Sequence, residues 1–149
     1  MIQLKLHKGP TANCPNCGAA GGQVKADTVR SLIRKEKLAD IIEGGYFFCK
    51  TPECETVYFT SDGRTFSKGD LSVRVGLKEI SAPRPICYCF GHTMEGIAEE
   101  IRLTGKSSAA RDIKARMKTE GCSCETRNPQ GSCCLKTVED YIGAELQKR

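Results

Sequence analysis

Apolar residues divide the chain into two stretches of different periodicity. In the first, Tyr46-Phe47-Phe48-Cys49 and Thr56-Val57-Tyr58-Phe59-Thr60 are rich in β-forming side chains, and Ser61-Asp62-Gly63-Arg64 is a hairpin signal. Leu71, Val73 and Val75 alternate with polar residues and predict a further strand. Upstream, Val29, Leu32, Ile33, Leu38, Ile41 and Ile42 recur at helical spacing behind Thr28 as the expected N-cap, with Gly44-Gly45 as the expected stop. The second stretch is helical in period. Thr93 is expected to cap a helix from Met94 to Leu103, with Ile97 and Ile101 on one face and Gly105 ending it. Ser107 or Ser108 starts another, in which Ile113 and Met117 lie four apart before Gly121. After the turn Asn128-Pro129-Gln130-Gly131, a last helix over 132–147 places Leu135, Val138, Ile142 and Leu146 in one buried stripe. Pro83 and Pro85 bias the segment between the stretches to extended geometry. The pattern predicts an α+β chain: a small antiparallel sheet in a subdomain over 1–82, then a helical subdomain over 83–149.

Composition changes this picture in one respect. Ten cysteines stand in 149 residues with 39% hydrophobic content and no Trp, so the apolar core is thin and cross-linking by metal or disulfide is expected. No apolar run approaches the ~18 residues of a bilayer span, so no membrane insertion is expected. Met1 to Lys8 alternates in polarity without the apolar region of a secretory signal. The expected location is therefore cytoplasmic, where cysteines serve as metal ligands more readily than as disulfides.

Cys14-Pro15-Asn16-Cys17-Gly18 has the form of a metal knuckle, and Cys49 and Cys54 project from the end of one predicted strand and the start of the next. Two turn-borne pairs facing each other describe a closed four-thiolate site, the usual setting of structural Zn²⁺. A thioredoxin-like redox pair would need the Cys-x-x-Cys at a helix start within a βαβ unit, and that pattern is missing. Zinc is then expected to supply folding free energy to the first half, which a chelator would unfold.

Six cysteines remain: Cys87, Cys89, Cys122, Cys124, Cys133 and Cys134. Cys87-Tyr88-Cys89 lies on an extended segment among Ile86, Tyr88 and Phe90, and Thr93 and Cys134 mark helix starts, where backbone N–H groups favour thiolates. Four of the six would complete a second site, either a second zinc or a [2Fe–2S] cluster; spacing leaves both open. The remaining two are either packed small side chains or a soft site for Cu(I).

Pro85-Ile86-Cys87-Tyr88-Cys89-Phe90, followed by a Thr-capped helix, a glycine, a second helix and a late cysteine group, resembles the bacterioferritin-associated ferredoxin-like [2Fe–2S] domain. That family closes with Cys-x2-Cys, whereas here the closing unit runs from Cys124 to Cys133-Cys134. A second likeness spans almost the whole chain. Tyr46-Phe47-Phe48-Cys49-x4-Cys54, Val57-Tyr58-Phe59, the stretch from Lys68-Gly69-Asp70-Leu71 to Arg74-Val75-Gly76-Leu77-Lys78-Glu79, Cys87-Tyr88-Cys89 and Asn128-Pro129-x-Gly131-x-Cys133-Cys134 together are similar to the cysteine-rich N-terminal domain of CopZ-type copper chaperones. The resemblance implies Zn²⁺ on Cys14, Cys17, Cys49 and Cys54, and a [2Fe–2S] cluster on Cys87, Cys89, Cys124 and Cys134. It leaves Cys122 and Cys133 as possible copper ligands. It further implies electron transfer linked to Cu(II) reduction and Cu(I) supply, with a copper-binding domain or a copper-transporting ATPase and an electron donor as partners. Those chaperones carry a further copper-receiving domain, and the sequence ending at Arg149 is expected to represent the metal–redox module alone.

The competing readings find less support. A zinc-ribbon-like nucleic-acid-binding or regulatory module with two structural zincs needs exposed aromatics among basic residues, yet Tyr46, Phe47, Phe48, Tyr58 and Phe59 read as core. No partnership with nucleic acid is expected. No catalytic Ser, His and acid set or phosphate loop is recognisable, which favours a redox carrier over an enzyme. His7 and His92 read as surface imidazoles, and Arg111, Lys114, Arg116 and Lys118 as a solvated helix face. With both metal centres loaded, the formal charge of +5 falls to about +1. The basic excess then offsets the centres' own negative charge.

Overall fold

A computed structural model of the chain describes residues 12–42, 45–121 and 123–148. Four short strands, β1 (Gly22–Val24), β2 (Tyr46–Phe48), β3 (Thr56–Phe59) and β4 (Thr65–Ser67), form an antiparallel sheet in sequential order. The register sets Phe47 opposite Phe59 and Tyr58 opposite Phe66. Because side chains alternate across a strand, the sheet buries both faces. Tyr46, Phe48, Tyr58 and Phe66 pack on Val29, Leu32 and Ile33, while Phe47 and Phe59 stack at 5.6 Å on the opposite face beside Cys14, Cys49 and Cys54. Burial on both faces accounts for the near-continuous apolar runs of β2 and β3.

Helix α1 spans Ala26–Leu32 with Lys25 at its N-cap, so Thr28 lies inside the helix and is buried, where the sequence suggested a cap. The apolar run does not continue as one helix. Ile33 turns extended and bridges Leu71, Arg34 N–H donates to Asp70 O at 2.9 Å, and Ser72 N–H donates to Leu32 O at 2.8 Å. A separate 3₁₀ turn, Lys35–Asp40, follows and leaves Leu38 exposed. The expected strand through Leu71, Val73 and Val75 reduces to that single bridge; Leu71 and Val75 are nevertheless core residues. The expected stop at Gly44 and the segment carrying His7 lie outside the described residues.

In the second half a two-stranded ribbon, β5 (Pro85–Cys87) and β6 (His92–Thr93), leads into α2 (Met94–Thr104) and α3 (Ala109–Glu120). Thr93 caps α2, its hydroxyl accepting from Gly96 N–H at 3.0 Å, and the helix ends at Gly105. A four-residue helix α4 (Cys124–Arg127), too short to carry a period, was not expected. Helix α5 (Leu135–Gln147) begins three residues later than predicted, with Cys134 as its N-cap. Its buried stripe stops at Ile142, and Leu146 is exposed. Ile86, Met94, Ile97, Ile101, Ala109, Ile113 and Val138 form the second core.

The two cores meet closely. Tyr58 Oη donates to Pro129 O at 2.6 Å, and Leu77 packs against both cores. Gly76 lies so close to β5 that a Cβ there would run into the Pro85 carbonyl. Tyr88 Oη donates to Arg74 O at 2.7 Å and accepts from Gly76 N–H at 3.1 Å. Segment 74–78 is thus a strap between the sheet and the ribbon.

Candidate metal centres

The first knuckle is built by its backbone. Cys14 N–H donates to Ala19 O and Gly18 N–H to Cys14 O, both at 2.8 Å, and Gly18 has φ +82°, a left-handed conformation that glycine adopts without strain. The opposing pair hangs from the sheet: Cys49 N–H donates to Val57 O at 2.8 Å, and Cys54 N–H closes a turn onto Thr51 O at 3.2 Å. The sulfur atoms of Cys14, Cys17, Cys49 and Cys54 all lie within 4.8 Å of one another. Cys14 Sγ and Cys54 Sγ are 3.9 Å apart and Cys17 Sγ and Cys49 Sγ 3.6 Å. A tetrahedral Zn²⁺ with Zn–S bonds of ~2.3 Å requires sulfur separations of ~3.8 Å, so the four residues fit one zinc ion.

Neighbouring polar groups divide the thiols into ready donors and protected ones. Cys17 is exposed; the Thr51 hydroxyl, 3.2 Å from its sulfur, and the backbone at Ala19 bring its thiol down to about 6. Burial pushes Cys49 up to about 11, against the backbone N–H of Thr51 and the charge of Lys78. Asn16 donates from Nδ2 to Cys54 Sγ at 3.3 Å and from its backbone to Cys14 Sγ at 3.4 Å. Lys78, itself buried, donates from Nζ to Thr51 O at 2.6 Å and to Cys54 O at 3.1 Å. Sequence reasoning passed over Asn16, Thr51 and Lys78 in this role. Lys78 reaches the site across more than twenty residues through carbonyl groups, for which no spacing rule exists; Asn16, between the two knuckle cysteines, and Thr51, between Cys49 and Cys54, were the accessible signals.

The second group collects at the ribbon and the helix starts. Cys87 ends β5, Cys89 lies in the following turn, Cys124 opens α4 and Cys134 caps α5. Cys89 Sγ and Cys124 Sγ are 3.6 Å apart, and the Cys134 thiol is in hydrogen-bond contact with Cys87 and Cys124. That contact is the main reason Cys87 is lowered to about 6, while hydrogen bonding to Cys87 and burial push Cys134 up. Cys87, Cys124 and Cys134 are buried among Ile86, Met94, Ile113 and Val138. Cys89 is partly exposed and accepts from Ser123 N–H at 3.1 Å. Among the described residues, only the first quartet has all its ligand atoms within 4.8 Å; the second meets through pairwise contacts. A donor set of four thiols in an apolar shell suits a thiophilic metal group.

The remaining residues take other places. Cys133 is exposed, so it is not a packed side chain, and Cys122 lies outside the described residues. His92 is half-buried, its Nε2 2.8 Å from Asp112 Oδ2, a contact that holds the Asp112 carboxyl below its usual range. Arg116 stands 4.7 Å over the Phe90 ring and pairs with Asp112 and Glu120, and Lys114 pairs with Glu139 at 3.5 Å. These pairs partly neutralise the basic face of α3. Tyr46, Phe47, Phe48, Tyr58 and Phe59 are all buried and not available to stack on bases. No helix among the described residues is long and apolar enough to cross a membrane.

Residues 11–72 match the CopZ zinc-finger family, described as a zinc binding domain. Copper chaperone CopZ of Archaeoglobus fulgidus is 38% identical over 135 residues, which cover 89% of this chain and 64% of that protein's length. The X-ray structure of the CopZ N-terminal domain from the same organism superposes with a TM-score of 0.72 at 33% identity, over 86% of this chain and 95% of that one.

Proposed function

Because the chain belongs to the family of the CopZ N-terminal domain, we propose that it is a metal-loaded electron carrier in copper handling, with two subdomains, 1–82 and 83–149, each organised around its own centre. Cys14, Cys17, Cys49 and Cys54 hold Zn²⁺ as a closed structural site, supported by their mutual distances and by the zinc-binding family match. Cys87, Cys89, Cys124 and Cys134 hold a [2Fe–2S] cluster, which when bound supplies a one-electron couple able to reduce Cu(II) to Cu(I). The linking of the second quartet supports this part: Cys89 meets Cys124, and Cys134 meets both Cys87 and Cys124, so the four thiols form one connected set.

The chain's own groups define the environment. Ile86, Met94, Ile113 and Val138 exclude water from the buried sulfurs, and Ser123 N–H places a positive dipole on Cys89, both of which tune a metal centre. Partly exposed Cys89 marks the side for exchange with a donor and with a copper-binding domain or copper-transporting ATPase. Exposed Cys133, and Cys122, which lies outside the described residues, are the candidate ligands for copper.

Metal analysis and low-temperature magnetic resonance of anaerobically purified protein test the reading. About one zinc and two irons per chain, with a spin signal on one-electron reduction, are expected. A colourless protein with two zincs overturns the electron-transfer assignment and leaves a structural zinc protein.

A further inference from the structure

Lys78 is 2% exposed, a rare state for a lysine, and two of its three N–H donors go to the carbonyls of Thr51 and Cys54. Among the described residues no carboxylate lies within ion-pair distance of its Nζ. The nearby Glu55 is taken up by Lys68 at 3.6 Å, and Glu79, next in sequence, by Arg74 at 3.2 Å. Two carbonyl dipoles orient an ammonium group without neutralising it, and a buried charge needs an opposite charge nearby. The turn it grips supplies one. Thr51 and Cys54 bound the loop that presents Cys54, and the Thr51 hydroxyl reaches Cys17. Four thiolates around a dication carry a net charge of about −2 at the other side of this loop.

We propose that Lys78 is the buried counter-cation of the four-cysteine centre, acting as a positioning residue that holds the Thr51–Cys54 turn closed and offsets the negative charge of the loaded site. The inference rests on the reading that Cys14, Cys17, Cys49 and Cys54 bind a divalent metal. It adds that the site's charge balance comes from outside the segment that supplies its ligands. Lys78 belongs to the 74–78 strap, whose Gly76 abuts Pro85 and whose Arg74 carbonyl accepts from Tyr88 Oη beside Cys87. Occupancy of the first site therefore stabilises the strap on which the ribbon of the second site rests.

The test uses the full, zinc-loaded chain. Lys78→Met keeps an unbranched side chain and removes the charge; Lys78→Gln retains an N–H donor without charge; Lys78→Arg retains charge. Zinc transfer to a chromogenic chelator is expected to run about 10- to 100-fold faster from K78M and K78Q than from wild type, with K78R slower than both. In the cobalt-substituted proteins, the thiolate-to-cobalt charge-transfer bands are expected to move to lower energy in K78M and K78Q, because their thiolates lose a neighbouring positive charge. A lysine that only clamps carbonyls would leave those bands in place. Should K78M fail to fold, K78Q decides alone: release within about twofold of wild type with unshifted bands overturns the proposal. A wild-type chain that takes up neither Zn²⁺ nor Co²⁺ overturns this proposal together with the reading of the site.

Discussion

Tyr58→Phe removes one oxygen atom from the contact between the two cores. The Tyr58 side chain is fully buried, and burial pushes its phenol far above the usual range, so the hydroxyl remains a donor at all working pH values. Its acceptor, Pro129 O, lies 2.6 Å away across 71 residues of chain, and Pro129 is itself fully buried. The substitution takes this donor away from a buried acceptor, at a cost of about 1–3 kcal/mol. Because the contact joins the halves, the loss is expected to lower the free energy of whole-chain opening. Native-state amide exchange measures it directly. At ~1.4 kcal/mol per tenfold, the most protected amides should exchange about 5- to 150-fold faster. Those to follow are Cys49, bonded to Val57 O in the first half, and Val138, bonded to Cys134 O in the second. Faster exchange at Cys49 with Val138 unchanged would refute the reasoning, because the halves would then open independently.

Two further outcomes are expected of the four-cysteine lobe. In the metal-free chain, alkylation of Cys17 should have its midpoint near pH 6, and Thr51→Val should raise it; an unchanged midpoint would remove Thr51 as the cause. Since the folded thiol titrates below its ordinary value, its stabilising effect is present above the ordinary thiol range and is lost as pH falls through about 6. Chelation of the metal should speed amide exchange at Gly18, Gly21 and Cys49 by at least about a hundredfold and, through the 74–78 strap and the Tyr58–Pro129 bond, exchange at Ile113 and Val138 in the helical half by a smaller factor. Equal acceleration in both halves would mean that the metal supports the whole fold instead of one lobe.

The sequence disclosed whatever depended on neighbours in the chain. Thr93 and Gly105 bound α2 as expected because capping is settled within one turn. Cys14 with Cys17, and Cys49 with Cys54, could be grouped because knuckle spacing fixes where two thiolates reach. Thr28 misled because a hydroxyl that could cap a helix is here buried within one, next to Gly131, where a Cβ would come within 3.1 Å of its Oγ1. The break at Ile33 was equally hidden: it comes from pairing with Leu71, a partner distant in sequence. Lys78 carried no signal of its own in the sequence, since burial of a cation is legible only once the turn it faces is in place.

The strap at 74–78 bears on how far such a centre can be transplanted. The matched zinc-binding segment, 11–72, contains all four cysteines but stops short of Lys78, whose ammonium closes their loop, and of Leu77, which seals both cores. A graft cut to the limits of shared sequence would carry every ligand into a new host and leave the charge balance behind. The smallest unit able to keep its metal is therefore longer than the smallest unit recognisable by its cysteines.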